Sequence, residues 1–176
     1  MELRFEPDAW HVCRRTDPSS CQDNANCYAY VLNRPDYFWA VPGMGFVKTQ
    51  TQHFLDSATK VFESFTSQDE FRQHLFEGAA QDGLLPVNQP EHREGHYLAA
   101  LFFSDKERDF HWYRQDRDGT WSHKDGWRTP SNKDADGNMI TDPRTAYTPR
   151  YPVFGGFFLV PRSGATLQPV FPLVSD

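Results

Sequence analysis

Three side chains in this sequence have the types and spacing for acyl-transfer chemistry: Cys27, His111 and His123. A thiol attacks carbonyls when it loses its proton, an imidazole within hydrogen-bond reach can take that proton, and a third polar group can hold the imidazole in the productive tautomer. Cys27 ends a polar, turn-forming run (Asp17, Pro18, Ser19, Ser20, Asp23, Asn24, Asn26) and opens the apolar stretch Tyr28-Ala29-Tyr30-Val31-Leu32. That pattern predicts a short buried helix with Asn26 or Asn24 as its N-cap. At such a position the unpaired backbone N–H groups and the positive end of the helix dipole are expected to favour the thiolate.

His111 stands near the start of a predicted strand, Asp109 to Gln115, and His123 follows twelve residues later on a third strand, Trp121 to Lys124. Neighbouring antiparallel strands lie ~4.8 Å apart, so two histidines on one face of such a hairpin can meet. His96, just before another strand, is the alternative base. Asp125, Asp134 and Asp136 compete with His123 as the orienting group, and a carboxylate would stabilise an imidazolium more strongly than a second imidazole does.

The elements that must position these groups divide the chain into a helical half, about 20–85, and a sheet half, about 95–162. An irregular tail, 163–176, follows, and the whole of 1–176 reads as a single domain. Residues 1 to 20 read as an arm or edge strand anchored by Phe5, Trp10 and Val12. After the Cys27 helix, Pro35 and Pro42-Gly43-Met44-Gly45 predict a loop from Asn33 to Gln52. From Phe54 to Ala80 apolar residues recur at three- and four-residue steps, which predicts helices over about 53 to 65 and 68 to 80. Ser67 with Glu70 forms a capping box for the second.

Beyond a loop from Pro86 to Glu94 the period changes to two. Tyr97 to Phe103 reads as a buried central strand, with the two strands named above beside it and Asp118-Gly119 as a turn. A hairpin-like segment from Asp134 to Ile140, an extended stretch Pro143 to Pro152 and a last strand Val153 to Val160 complete the sheet half. The fold class is therefore α+β, with helices, the first carrying Cys27, packed on a small antiparallel sheet.

Composition narrows the function classes. The hydrophobic fraction is 38%, with 15 Phe, 7 Tyr and 5 Trp, so the core is built largely from aromatic rings; 13 Pro and 11 Gly suit short strands and many turns. A net charge of −6 without a basic stripe argues against a nucleic-acid partner and against an anionic membrane surface. No apolar run approaches the ~20 residues of a membrane span, and Met1 to Pro7 has no signal-peptide character, so a cytoplasmic chain is expected. Cys13, Cys21 and Cys27 are spaced too widely for a zinc site, and their odd number argues against a disulfide framework, although Cys13 and Cys21 can still pair. Asn132 to Gly137 matches the start of an EF-hand loop, but Pro143 stands where the bidentate Glu belongs, so neither a metal nor another cofactor is expected.

Cys27-Tyr28-Ala29-Tyr30 resembles the Cys-Trp-Ala-Phe that opens the catalytic helix of papain-like cysteine peptidases. Gln22, five residues upstream, lies near where that family carries its oxyanion-hole glutamine, although the spacing here is one residue shorter and Asp23 to Asn26 replaces a glycine-rich loop. The order of a helix Cys, a strand His and a second His about a dozen residues on also resembles the NlpC-type cell-wall amidases. The resemblance implies a papain-like core and a hydrolase acting on an amide bond, as a peptidase, a peptidoglycan amidase or a glutamine deamidase, with transglutaminase chemistry as a relative. It assigns Cys27 as nucleophile, His111 as base, His123 or an Asp as orienter, and Gln22 with the Cys27 N–H as oxyanion donors, acting on a protein or peptidoglycan-like substrate.

The resemblance extends to compact bacterial effector and toxin domains exported by specialised secretion systems. A competing expectation from the same residues is a non-catalytic protein-binding module. In it Trp39, Phe46, Trp112 and Trp121 line an aromatic cleft and Cys27 is structural.

Overall fold

The computed structural model describes residues 3–7, 10, 25–48, 52–126 and 128–168. The first element is the short helix α1 (Cys27–Val31), capped by Asn26, whose side chain accepts the Ala29 N–H. The same Asn26 amide also exchanges hydrogen bonds with both backbone groups of Ala40, so the cap ties α1 to the next element. That element corrects the predicted loop: β1 (Trp39–Val41) and β2 (Gly45–Val47) form an antiparallel hairpin around Pro42-Gly43-Met44. The turn residues that read as a break are the hairpin's bend, with Gly43 at φ +71°.

Helices α2 (Gln52–Ser64) and α3 (Gln68–Gln81) fall where the apolar period put them. Ser67 caps α3 by accepting from the Glu70 N–H, while the Glu70 carboxylate turns to the N–H and hydroxyl of Thr66. Beyond α3 come β3 (Leu85–Val87), β4 (His96–Ser104), β5 (Asp109–Gln115), β6 (Trp121–His123) and β7 (Val153–Pro161). They form one antiparallel sheet in the order β3-β7-β4-β5-β6, so the last strand in sequence inserts between the first and second.

β4 alternates between two aromatic layers. Tyr97, Ala99, Leu101 and Phe103 join Trp112 and Phe158 under the helices; Leu98, Ala100 and Phe102 join Tyr113, Trp121 and Phe157 on the other face. The second face is covered by Ile140 and Tyr151 from the segment between β6 and β7. A bulge shifts the β4–β7 register between Leu101 and Phe102; the extra residue is Gly155, where a Cβ would stand 2.4 Å from the Phe103 ring. The described part of the tail does not lie loosely on the surface: Leu167 is buried and the Thr166 N–H donates to Asp82.

These contacts fix α1. The Tyr28 hydroxyl donates to Asp82 at the end of α3, and the same carboxylate accepts the Gly43 N–H of the hairpin. At the other end Arg114 of β5, fully buried beside Asp116, lays its guanidinium 3.9 Å from the centre of the Tyr30 ring and donates to the Tyr30 carbonyl. A cation at the C-terminal end of a helix meets its orphan carbonyls and its negative pole.

Candidate functional site

α1 docks on β5 so that the Cys27 sulfur sits against the strand backbone between Phe110 and Trp112. The thiol donates to the Phe110 carbonyl oxygen at 3.9 Å. Cys27 and His111 line one open cavity of about 860 Å³, whose walls include Trp39 and Val41 of the hairpin, Phe62 of α2, Asp109, Asp125 and Tyr151. The two side chains share this wall without a direct hydrogen bond.

The sequence expectation of an ionised thiol at rest is corrected. Burial pushes the Cys27 thiol well up from its ordinary value, and Asp109 and Asp125 add to the rise; the Trp112 and Tyr28 N–H groups pull the other way and lose. A helix of five residues offers little dipole to set against that burial. At neutral pH Cys27 is a thiol.

His111 and His123 meet as the hairpin geometry predicts, through β5 and β6. Register pairs Tyr113 with His123, two residues along the same face from His111, and the rings join through His111 Nε2 and His123 Nδ1 at 2.8 Å. His123 Nε2 lies 3.1 Å from the Lys133 carbonyl oxygen, which can only accept. His123 therefore carries its proton on Nε2, its Nδ1 accepts, and His111 must donate from Nε2. The remaining lone pair belongs to His111 Nδ1.

Burial, then His123, then Arg150 hold the His111 imidazole well below the usual histidine range, and burial also lowers His123. The pair is neutral at pH 7, which the proton order requires. Tyr151 stacks on His111, ring centroids 4.9 Å apart and planes 14° off parallel.

The remaining candidates fall elsewhere. His96 is not beside Cys27: it lines a second cavity of about 470 Å³ with Arg93 and Arg162, and its ring Nδ1 lies on the Glu94 carbonyl. Asp134 spends its carboxylate on the N–H groups of Asp136, Asn138 and Tyr147, and Asp136 is an exposed member of that turn. Asp125 lines the Cys27 cavity, but the nitrogen facing His111 is that of His123, so the orienting position is taken by an imidazole and not a carboxylate. Gln22, Cys13 and Cys21 lie outside the described residues. The aromatic cleft is also corrected: Phe46, Trp112 and Trp121 are core side chains, and Trp39 alone of the four lines the cavity.

One buried cation gave no sequence signal. Lys124, just past the end of β6 and next to His123, is fully buried, although a lysine normally reads as solvent-facing. Among the described residues no group of three His, Cys, Asp or Glu is placed to hold a metal ion, and no helix is long and apolar enough to cross a membrane.

Compared with known proteins, the chain matches no family model and no solved structure. Among curated proteins it is 30% identical over 154 residues to insoluble matrix shell protein 1 of Ruditapes philippinarum, an alignment covering 88% of this chain and 87% of that one.

Proposed function

The chain belongs to the family of the insoluble matrix shell protein 1 of Ruditapes philippinarum, and we propose that it is a cysteine hydrolase with a papain-like core acting on an amide bond. The observation that carries this reading is the proton-ordered chain from the Lys133 carbonyl through His123 to His111, which leaves a lone pair on Nδ1 of a histidine that lines the same cavity as Cys27. A buried pair of histidines joined head to tail is costly to place in an apolar sheet, and orienting a base is a use that repays it.

The chemistry starts from a neutral pair. Closing of the thiol onto His111 Nδ1, once substrate fills the cavity, lets Cys27 attack the carbonyl carbon as its proton passes to the imidazole. The tetrahedral oxyanion is received by the Cys27 N–H and Gln22. It collapses as His111 returns the proton to the leaving amine, and a thioester remains on Cys27. Water, deprotonated by His111, attacks the thioester, releases the acid and restores the thiol. His123 keeps the imidazolium oriented throughout and takes no proton itself.

Substrate class is read by the test. Purified chain is offered glutamine-containing peptides, folded protein and peptidoglycan fragments. Ammonia release without chain cleavage marks a deamidase, new peptide termini a peptidase, and cleaved muropeptides an amidase. Cys27→Ala and His111→Ala abolish the reaction without unfolding the domain, and Gln22→Ala slows it by roughly two to three orders of magnitude. Turnover that survives Cys27→Ala, or the lack of a Cys27 thioester with all three substrates, overturns the reading.

One observation favours a second reading. The thiol is raised and bonded to a carbonyl, as a structural cysteine would be, and the relative's name speaks of an insoluble matrix and not of catalysis. In that reading the chain is a non-catalytic protein-binding component, and a normally folded Cys27→Ala variant retains all of its function.

A further inference from the structure

We propose that the second cavity, at the opposite end of the sheet from Cys27, binds a small organic anion: a carboxylate or phosphate carried on an apolar body. The strands set the two cavities apart. β5 begins at Asp109 on the Cys27 cavity and ends at Gln115 on this one, which at ~3.3 Å per residue is a span of about 20 Å. β4 runs the other way, starting here at His96, and the turn that follows it, Asp105 to Arg108, lines the first cavity. Binding at this site does not depend on the chemistry read at Cys27.

The cavity has an apolar base and a basic rim. Tyr97, Leu98 and Leu159 are buried side chains of β4 and β7, and the space of about 470 Å³ that they help to line is enough for a ligand of one aromatic ring and its head group. The rim carries Arg93, Arg117 and Arg162, all exposed, against the two carboxylates of Glu91 and Asp116. Asp116 is buried and is already paired with Arg114, a further guanidinium that is not on the wall. The lining is therefore net positive on a chain whose net charge is −6. A positive concavity on an acidic molecule concentrates anions.

Hydrogen bonds place the rim groups together. The Arg162 N–H donates to the Gly95 carbonyl at 2.8 Å and the His96 N–H to the Arg93 carbonyl at 3.1 Å, so Arg93, His96 and Arg162 are held around one turn. The Arg162 guanidinium lies 5.7 Å from the centre of the Tyr97 ring, which sets it at the edge of the apolar base. His96 Nδ1 lies 2.9 Å from the Glu94 carbonyl oxygen, which can only accept. That nitrogen carries a proton, and Nε2 has no partner among the described residues. Arg93 gives one N–H to Glu91 at 2.7 Å, in a half-exposed pair of the kind that holds its partners weakly. A guanidinium has five N–H donors in a planar fork that matches both carboxylate and phosphate oxygens.

The test is titration calorimetry of the whole chain with phenyl phosphate, benzoate, inorganic phosphate and benzyl alcohol. Phenyl phosphate or benzoate is expected to bind, inorganic phosphate more weakly and benzyl alcohol not at all; the tighter of the two acids identifies the head group. Arg93→Gln and Arg162→Gln are each expected to weaken binding about three- to tenfold, whereas Lys60→Gln, the same loss of charge at an exposed position of α2, leaves it unchanged. In proton spectra of the unaltered chain the ring signals of His92 and His96 are expected to move with added ligand while those of His111 and His123 stay. The proposal is overturned if neither acid binds at millimolar concentration, if both arginine variants bind as wild type does, or if the signals that move are those of His111 and His123. Inorganic phosphate binding as tightly as phenyl phosphate overturns the apolar body and with it the class of ligand.

Discussion

Tyr151 lies flat against His111, and its hydroxyl donates to Asp109 at 2.8 Å. The ring that covers the proposed base is thereby fixed from the cavity rim, where Asp109 also accepts from Arg150. Tyr151→Phe keeps the stack and removes the bond, which costs about 1 kcal/mol for a half-exposed carboxylate. Tyr151→Leu removes the stack as well. Urea denaturation is expected to show a small loss for Phe, and the rate of Cys27 acylation is expected to fall severalfold further for Leu than for Phe. Equal rates in the two variants would mean that the stack does not orient His111.

His123 offers a sharper comparison because its two nitrogens have different partners. His123→Ala removes the acceptor for His111 Nε2–H and frees the ring to rotate or to change tautomer. Loss of an orienting group of this kind lowers the chemical step by roughly two to four orders of magnitude. His123→Asn can present a carbonyl oxygen near the position of Nδ1 and is expected to recover part of that loss. The measurement is single-turnover acylation of Cys27 in the three chains, and an alanine variant that matches wild type removes His123 from the mechanism.

Most of what positions these groups could be read locally. The capped helix at Cys27, the two period-3.6 helices and the β4–β5 pair depend on residues within a few positions of one another, and all are present. The spacing of His111 and His123 was legible because a hairpin's register brings them together. The β3–β7 pairing was not, since Leu85 meets Leu159 through no local pattern. The ionisation of Cys27 was misread for the same reason: its N-terminal helix position is local, whereas burial and the charges of Asp109 and Asp125 are tertiary. The burial of Lys124 was not legible, because nothing in Ser122-His123-Lys124-Asp125 reveals that the lysine just past β6 is covered.

Acid pH tests the neutral pair. In the proposed hydrolase His111 must be unprotonated to accept from the thiol, and its folded-state value is depressed by burial, His123 and Arg150. The acid limb of Cys27 acylation is therefore expected below the ordinary histidine value of about 6.5. The linkage sign follows: an unfolded chain protonates these histidines near 6.5 while the folded one resists. Stability is level above that pH and falls as pH drops below it, by at most about 1.4 kcal/mol per pH unit per histidine, until the folded pair itself protonates. Chemical denaturation from pH 7.5 to 5 is expected to show a steeper loss for wild type than for the double variant His111→Gln, His123→Gln. Parallel slopes would show that the pair is not held neutral.

The wall opposite β5 depends on a backbone contact between Gly78 of α3 and the hairpin. A Cβ on Gly78 would stand 2.6 Å from the Pro42 carbonyl and 2.8 Å from the Gly43 nitrogen, and one on Gly43 would stand 2.7 Å from the Gly78 Cα. Backbone sits on both sides, so neither neighbour can turn away as a side chain would. Gly78→Ala gains up to ~1 kcal/mol in helix propensity, yet forced overpacking costs typically ~1–3 kcal/mol. The net expectation is a loss of about 1–2 kcal/mol in urea. Asp82 transmits the shift, since its carboxylate bonds both Gly43 and Tyr28. Because Val41 and Trp39 line the cavity from that hairpin, Gly78→Ala is also expected to slow Cys27 acylation, whereas an exposed helix substitution such as Gln73→Ala leaves the rate unchanged; a Gly78→Ala chain as stable and as fast as wild type would show that the close approach is not required.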